Sequence, residues 1–175
     1  MPLQVYKGFT LIEVMIVIFI ISIVMSIALP RLQGVSNSIN FDSIQRSLIS
    51  SLFFARAEAM KQGGNVTVCP SNDSATCLAT SNSWNDGWII FLDVDANGVL
   101  DAGADQLIKV VTIPRVANLT WTGTRSITFR GEGDVLAGAQ GNLRICDING
   151  DISIVRGIAV NISGRVAENN AVTCP

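Results

Sequence analysis

A single carboxylate, Glu13, stands near the start of an apolar run that continues to Leu29 with no other charge. The run is long enough to cross a bilayer, for which a helix needs about 20 mostly apolar residues. At that depth a carboxylate costs roughly 2.5–3.5 kcal/mol on insertion scales and calls for a named partner. Cleavage between Gly8 and Phe9 would supply one, because the freed amino group of Phe9 is a cation four residues from Glu13. The amine of one subunit could then pair with the carboxylate of the next, which turns the glutamate into an assembly device.

The other groups able to do chemistry lie beyond the apolar run. Asp93-Val94-Asp95-Ala96-Asn97-Gly98-Val99-Leu100-Asp101 places oxygens at alternate positions with a glycine for the turn, the beginning of a calcium loop. Asp93, Asp95, Asn97 and Asp101 would be the ligands, but Ala104 stands where a calcium loop needs its bidentate glutamate. A strand-joining turn rich in Asp, Asn and Gly is the favoured reading, and no metal or cofactor is expected. Cys69, Cys77, Cys146 and Cys174 allow three pairings. In an extracytoplasmic domain they pair as disulfides, and local spacing favours Cys69 with Cys77 and Cys146 with Cys174. A zinc site would want C-x-x-C pairs or histidines, and the chain has no His at all. The same lack removes any Ser/His/Asp set, no phosphate-cradling glycine loop is present, and an enzyme is not expected. Trp84, Trp88 and Trp121 read as core or subunit-contact aromatics rather than a stacking platform.

These groups need elements to hold them. The 175 residues and net charge of −2 fit one compact domain beyond an N-terminal segment and carry no nucleic-acid footprint. Charge is uneven: the acidic zone 73–105 precedes a mildly basic part from Lys109 to Arg165. The apolar run is too long for a secretory signal, despite a passable cut site at Ser26-Ile27-Ala28. It also lacks the polar face of a soluble helix. Pro30 ends it. Ile44, Leu48, Leu52, Ala55 and Ala59 then repeat at helical spacing, with Ser43, Ser47, Ser50 and Ser51 opposite, until Gln62-Gly63-Gly64 stops the helix. The helix is therefore expected over residues 10–61, its lower half embedded and its upper half amphipathic.

Alternation predicts strands from Val66, Trp88, Gln106, Ser126, Asn142, Ile152 and Gly157 onward, with Asn149-Gly150 as a type I′ hairpin turn. The fold class is α+β: a long N-terminal helix packed on an antiparallel two-sheet β domain. The organisation is a short segment at residues 1–8, a membrane-length apolar helix at 9–29, an amphipathic helix at 30–62 and a β-rich domain at 65–175.

Lys7-Gly8-Phe9-Thr10-Leu11-Ile12-Glu13 followed by an apolar helix resembles the N-terminal signal of type IV pilins and type II secretion pseudopilins. The resemblance implies that a membrane-embedded prepilin peptidase cuts after Gly8 on the cytoplasmic side and N-methylates Phe9. Glu13 becomes the fifth residue of the mature chain. A second resemblance covers most of the chain. Trp84-Asn85-Asp86-Gly87-Trp88-Ile89-Ile90-Phe91 leading into the Asp-rich turn is similar to the GspH/FimT/FimU group of minor pilins and pseudopilins, most of all its FimU-like members. It implies insertion in the inner membrane of a Gram-negative bacterium with the bulk periplasmic, then extraction into a surface pilus. The implied place is at or near the tip, where the subunit helps prime assembly and connects other minor pilins to the major pilin. Two alternatives stay open, a FimT-like DNA-binding pilin and a type II secretion pseudopilin H. DNA is not favoured, because Gly164-Arg165-Val166-Ala167 keeps one arginine where the group has two, and phosphate binding needs several cations acting together.

Overall fold

The computed structural model describes residues 9–150, 155–169 and 171–174, and across residues 27–37 it describes the backbone alone. Residues 1–8, with the leader and Gly8, lie outside the described residues, as do Ile152, Ser153 and Ile154, expected to open a strand. The chain forms two compact units, Met1–Ser38 and Ile39–Pro175. Helix α1 (Leu11–Gln62) contributes to both.

Over residues 11–26, where side chains are described, α1 shows no polar face. From Leu11 to Met25 its large apolar side chains are all exposed. Ser22 and Ser26 donate their hydroxyls to the carbonyls of Phe19 and Ile23, each at 2.7 Å, so the helix satisfies its own hydroxyls. Among the described residues no helix is long and apolar enough to cross a membrane.

In the second unit the stripe Ile44, Leu48, Leu52, Ala55 and Ala59 is buried as the spacing predicts, with Phe41 added to it. Ser51 departs from the expected polar face and is buried, while Phe53 points outward and is half exposed. Gly63 ends the helix in the left-handed region (φ 65°) and the Gly64 amide donates to the Ala59 carbonyl at 3.3 Å. That six-to-one bond is a Schellman cap, which only a residue free of the Cβ penalty enters readily.

Eight strands follow: β1 (Val66–Pro70), β2 (Gly87–Leu92), β3 (Gln106–Thr112), β4 (Ala117–Trp121), β5 (Ile127–Phe129), β6 (Gly141–Asp147), β7 (Val155–Val160) and β8 (Val166–Glu168). They make two antiparallel four-stranded sheets, in the orders β3-β2-β1-β5 and β4-β6-β7-β8. Trp88 and Ile90 of β2 and Val66 and Val68 of β1 meet the helix stripe and the inner residues of the second sheet, Leu119, Trp121, Leu143, Ile145, Ile158 and Val160, in one core. Trp84 lies in that core with its ring centroid 6.4 Å from Trp88 and 6.5 Å from Trp121, so all three tryptophans are core residues. The opposite face of the first sheet buries Ile89, Phe91 and Cys69 beneath Cys77 and Leu100.

Three expectations need correction. Strand β4 was not expected, although Ala117, Leu119 and Trp121 alternate inward with Asn118 and Thr120 outward. Strand β8 was missed because three residues carry too little alternation to read. Asn149-Gly150 is not a type I′ turn, which needs positive φ at both central residues. Only Gly150 has it (φ 81°), and its amide closes the turn onto Asp147 at 3.2 Å. The Asp147 side chain accepts the Asn149 amide at 2.6 Å, so the aspartate sets the turn and the glycine ends it.

Candidate functional site

The helix N-terminus is built by Thr10. Its hydroxyl accepts the Glu13 amide at 3.3 Å and its carbonyl accepts the same amide at 3.1 Å, which fills one of the helix's orphan donors. Thr10-Leu11-Ile12-Glu13 has the spacing of a capping box, in which the glutamate would reach back to the cap amide. That return bond is not made: among the described residues nothing donates to the Glu13 carboxylate. Phe9 is 83% exposed one residue before the cap. Phe9, Glu13, Val14, Val17 and Ile18 line one shallow, almost wholly apolar surface depression. The first turn therefore presents a carboxyl group and an apolar surface together. Gly8, the other half of the expected cleavage site, lies outside the described residues.

The four cysteines form the two disulfides favoured by spacing, Cys69 with Cys77 and Cys146 with Cys174. The second pins the C-terminal tail across β7. There the Asn169 amide donates to the Gly157 carbonyl at 2.9 Å, and Asn169 Nδ2 donates to Asn142 Oδ1 at 2.8 Å. A Cβ on Gly157 would lie 2.4 Å from the Asn169 carbonyl oxygen and 2.5 Å from Val172, so only glycine lets the tail approach so closely. Arg144 Nη1 reaches the Thr173 carbonyl at 3.4 Å. Arg165 sits in a tight turn closed by its amide on Asn161 Oδ1 at 2.9 Å. Its guanidinium forms no ion pair among the described residues. Gln45 and Arg156 tie the helix to the same sheet, through Gln45 Nε2 to the Gly157 carbonyl at 3.0 Å and Arg156 Nε to Asp42 at 2.8 Å.

The Asp-rich turn is organised differently from a sequential calcium loop. Asp93 is fully buried. Its Oδ2 accepts the Thr67 hydroxyl at 2.6 Å and the Gly98 amide at 3.0 Å, and Oδ1 accepts the Asn97 amide at 3.1 Å. Thr67 has one proton and gives it to Asp93, so the 2.7 Å contact between Thr67 and Thr128 has Thr128 as donor. Burial pushes the Asp93 carboxyl above the usual carboxylate range, and the nearby Asp105 adds to it, against the hydrogen bonds that lower it. Asn97 turns its amide nitrogen to Asp95 at 2.9 Å and Asp101 at 2.7 Å, and its oxygen accepts the Val99 amide at 2.7 Å. Of the four sequence candidates, then, Asn97 and Asp101 are bound to each other. Asp93 and Asp95 converge instead with Asp105, one oxygen of each lying within 4.8 Å of the others. Asp105 was missed because its position is set by the β2–β3 connection rather than by the loop spacing. Its carboxylate accepts the Val94 and Asp101 amides at 3.0 and 2.9 Å, so each carboxylate of the group has a donor in the protein.

Comparison with known proteins gives two family matches. Residues 45–164 match the family described as type II transport protein GspH, and residues 4–29 match the prokaryotic N-terminal methylation motif. No curated protein matches the chain. Among solved structures, the type IV minor pilin FimU of Pseudomonas aeruginosa is similar in two crystal forms. One has 20% identity and a TM-score of 0.56, covering 73% of this chain and 91% of FimU. The other has 23% identity and a TM-score of 0.55, covering 74% and 87%. The minor pseudopilin EpsH of the Vibrio cholerae type 2 secretion system has 12% identity and a TM-score of 0.51, covering 74% of this chain and 96% of EpsH.

Proposed function

Since the chain belongs to the type II transport protein GspH family and is a minor pilin or pseudopilin, we propose that it is a type IV minor pilin built into the fibre at or near its tip. There it helps prime assembly and connects other minor pilins to the major-pilin shaft. The observation that carries this reading is the first turn of α1, where an exposed Phe9 and a carboxylate with no hydrogen-bond donor among the described residues stand within the methylation motif.

Cleavage after Gly8 by a prepilin peptidase frees the Phe9 amine, and methylation keeps it a cation. While the subunit waits in the inner membrane, Glu13 sits in or at the edge of hydrocarbon, at a cost of roughly 2.5–3.5 kcal/mol on insertion scales. In the fibre the apolar helix packs against neighbouring helices, and the methylated amine of one subunit meets Glu13 of the next. That pairing removes the cost of the unpaired charge. The uniform apolar surface of residues 11–25 suits both environments, which is why the helix needs no polar face. The globular unit is placed in the periplasm and then on the surface, where its two disulfides persist.

The family description supports a second reading, a type II secretion pseudopilin H. DNA binding is not favoured, because Gly164-Arg165-Val166-Ala167 carries a single arginine and the tail is pinned by Cys146–Cys174. Two measurements test the proposal. The intact mass of the chain recovered from its host should correspond to loss of residues 1–8 and gain of one methyl group. A deletion strain should lose surface pili and retain protein export, and lost export with normal pili would transfer the chain to the secretion system.

A further inference from the structure

We propose that the free edge of the first sheet, along β3, accepts an extended segment rich in Lys and Arg from a neighbouring subunit. The source of that segment rests on the filament reading above; the chemistry of the edge does not.

Strand β3 ends its sheet, and among the described residues no strand pairs with its outer side. The ladder fixes which of its groups face outward. The Ile113 amide donates to the Asp86 carbonyl, and from there the register pairs Thr112 with Gly87, Val111 with Trp88 and Val110 with Ile89. Antiparallel pairs alternate between bonded and non-bonded, so Val111 turns its amide and carbonyl toward β2 while Val110 and Thr112 turn theirs away. The neighbouring strand agrees, since the Gly87 carbonyl accepts from Ser71 on the β1 side instead. Val110 and Thr112 thus present an unpaired backbone row of the kind that templates strand addition.

Edge strands are commonly guarded by a lysine. Lys109 is not deployed that way, for its ammonium lies 5.2 Å from the centroid of the Phe54 ring. It pairs with Ile90, a residue of the main core, whereas Val110 pairs with Ile89 on the opposite face. On that opposite face Leu107 and Val110 are each 40% exposed, beside the buried Ile89 and Phe91.

Charge selects the occupant. Between Lys61 and Lys109 the sequence contains no Lys or Arg. Asp73, Asp95, Asp101 and Asp105 all fall there, and none takes part in an ion pair among the described residues. Three of them lie in the connection that joins β2 to β3. A strand arriving at this edge with carboxylates would be repelled, and one with Lys or Arg beside small apolar residues fits both the charge and the exposed Leu107 and Val110.

The full chain in detergent micelles, with EDTA present, should be titrated with the labelled peptide acetyl-Lys-Val-Thr-Val-Lys-Val-Thr-amide and with its Glu-for-Lys counterpart. The basic peptide should bind at least about tenfold more tightly than the acidic one, and binding should weaken as salt is raised. Asp95→Lys with Asp101→Lys should weaken it about tenfold again, the Trp fluorescence confirming that the fold is intact. Val110→Pro removes an outward amide without touching the β2 ladder and should abolish it. Because that variant could disturb the strand, hydrogen exchange on the wild-type chain gives the independent readout: the peptide should protect the amides of Val110 and Thr112. Equal affinity for the two peptides, no binding of either, or binding without protection of those amides would overturn the proposal. None of these outcomes depends on Glu13, so failure here leaves the filament reading standing.

Discussion

Removing the disulfides one at a time should destabilise the globular unit unequally. Cys69 and Cys77 are 8 positions apart, and Cys146 and Cys174 are 28 apart. Constraint of the unfolded chain grows with loop length, and at 25 °C these separations correspond to about 2.5 and about 3.6 kcal/mol. The replacement residue decides whether that order can be seen. Cys69 is 1% exposed among Ile89, Phe91, Cys77 and Leu100. A serine there would bury a hydroxyl with no partner, a penalty of about 1–3 kcal/mol that could reverse the order. Alanine at both positions of each pair avoids this. Urea unfolding of the full chain in detergent micelles, followed by the fluorescence of Trp84, Trp88 and Trp121, reads the loss directly. Cys146→Ala with Cys174→Ala should lower the unfolding free energy by about 1 kcal/mol more than Cys69→Ala with Cys77→Ala. A larger loss from the shorter loop would refute the view that the bridges act mainly on the unfolded chain.

Thr67→Val keeps the shape of the side chain but removes the proton given to Asp93 and the acceptor offered to Thr128. It should cost about 1–3 kcal/mol in the same assay, and a neutral result would mean that this buried chain of hydroxyls contributes nothing. Asp93 should also give the globular unit a pH dependence opposite to that of most carboxylates. Its folded-state pKa is raised, chiefly by burial, so its favourable contribution is fully present below the unfolded pKa near 3.9 and is lost as pH rises through the folded value. Relative to Asp93→Asn, the wild type should therefore lose stability as pH rises above the unfolded pKa near 3.9, and a flat or rising difference would contradict the assignment. Asp134 has the other sign: Arg130 holds its carboxyl below the usual range, so its small contribution is lost as pH falls.

Periodicity made the architecture readable. The helix stripe from Ile44 to Ala59 and the alternation of Leu143 and Ile145 in β6 are repeated patterns that place their apolar residues inward as the period requires, whereas β2 is a continuous apolar run buried on both faces and β3 leaves Leu107 and Val110 exposed. The Gly63-Gly64 stop was legible because left-handed backbone selects glycine. What escaped was set by contacts distant in sequence. Gly157 is glycine because residues 169 and 172 cross it, and nothing near Gly157 in the chain announces that. Asp105 joins Asp93 and Asp95 through the fold of a connection, whereas the loop spacing pointed to Asn97 and Asp101. Strand β4 carried its alternation in the open, with Ala117, Leu119 and Trp121 inward, and was still not expected. At the N-terminus, Thr10 and Glu13 have the spacing of a capping box, and the structure makes only its threonine half. The glutamate is thereby left with its side chain available.

That availability is the centre of the proposed function, and incorporation of Glu13 variants into filaments tests it most directly. Full-length Glu13→Ala and Glu13→Gln chains should be cleaved and should fractionate with the membrane like the wild type, since neither change adds charge to the apolar run. Both should be absent from sheared filaments in a strain whose other subunits assemble, because neither side chain carries the charge that the proposal pairs with a methylated amine at Phe9. Recovery of either variant in filaments at the wild-type level would contradict the account.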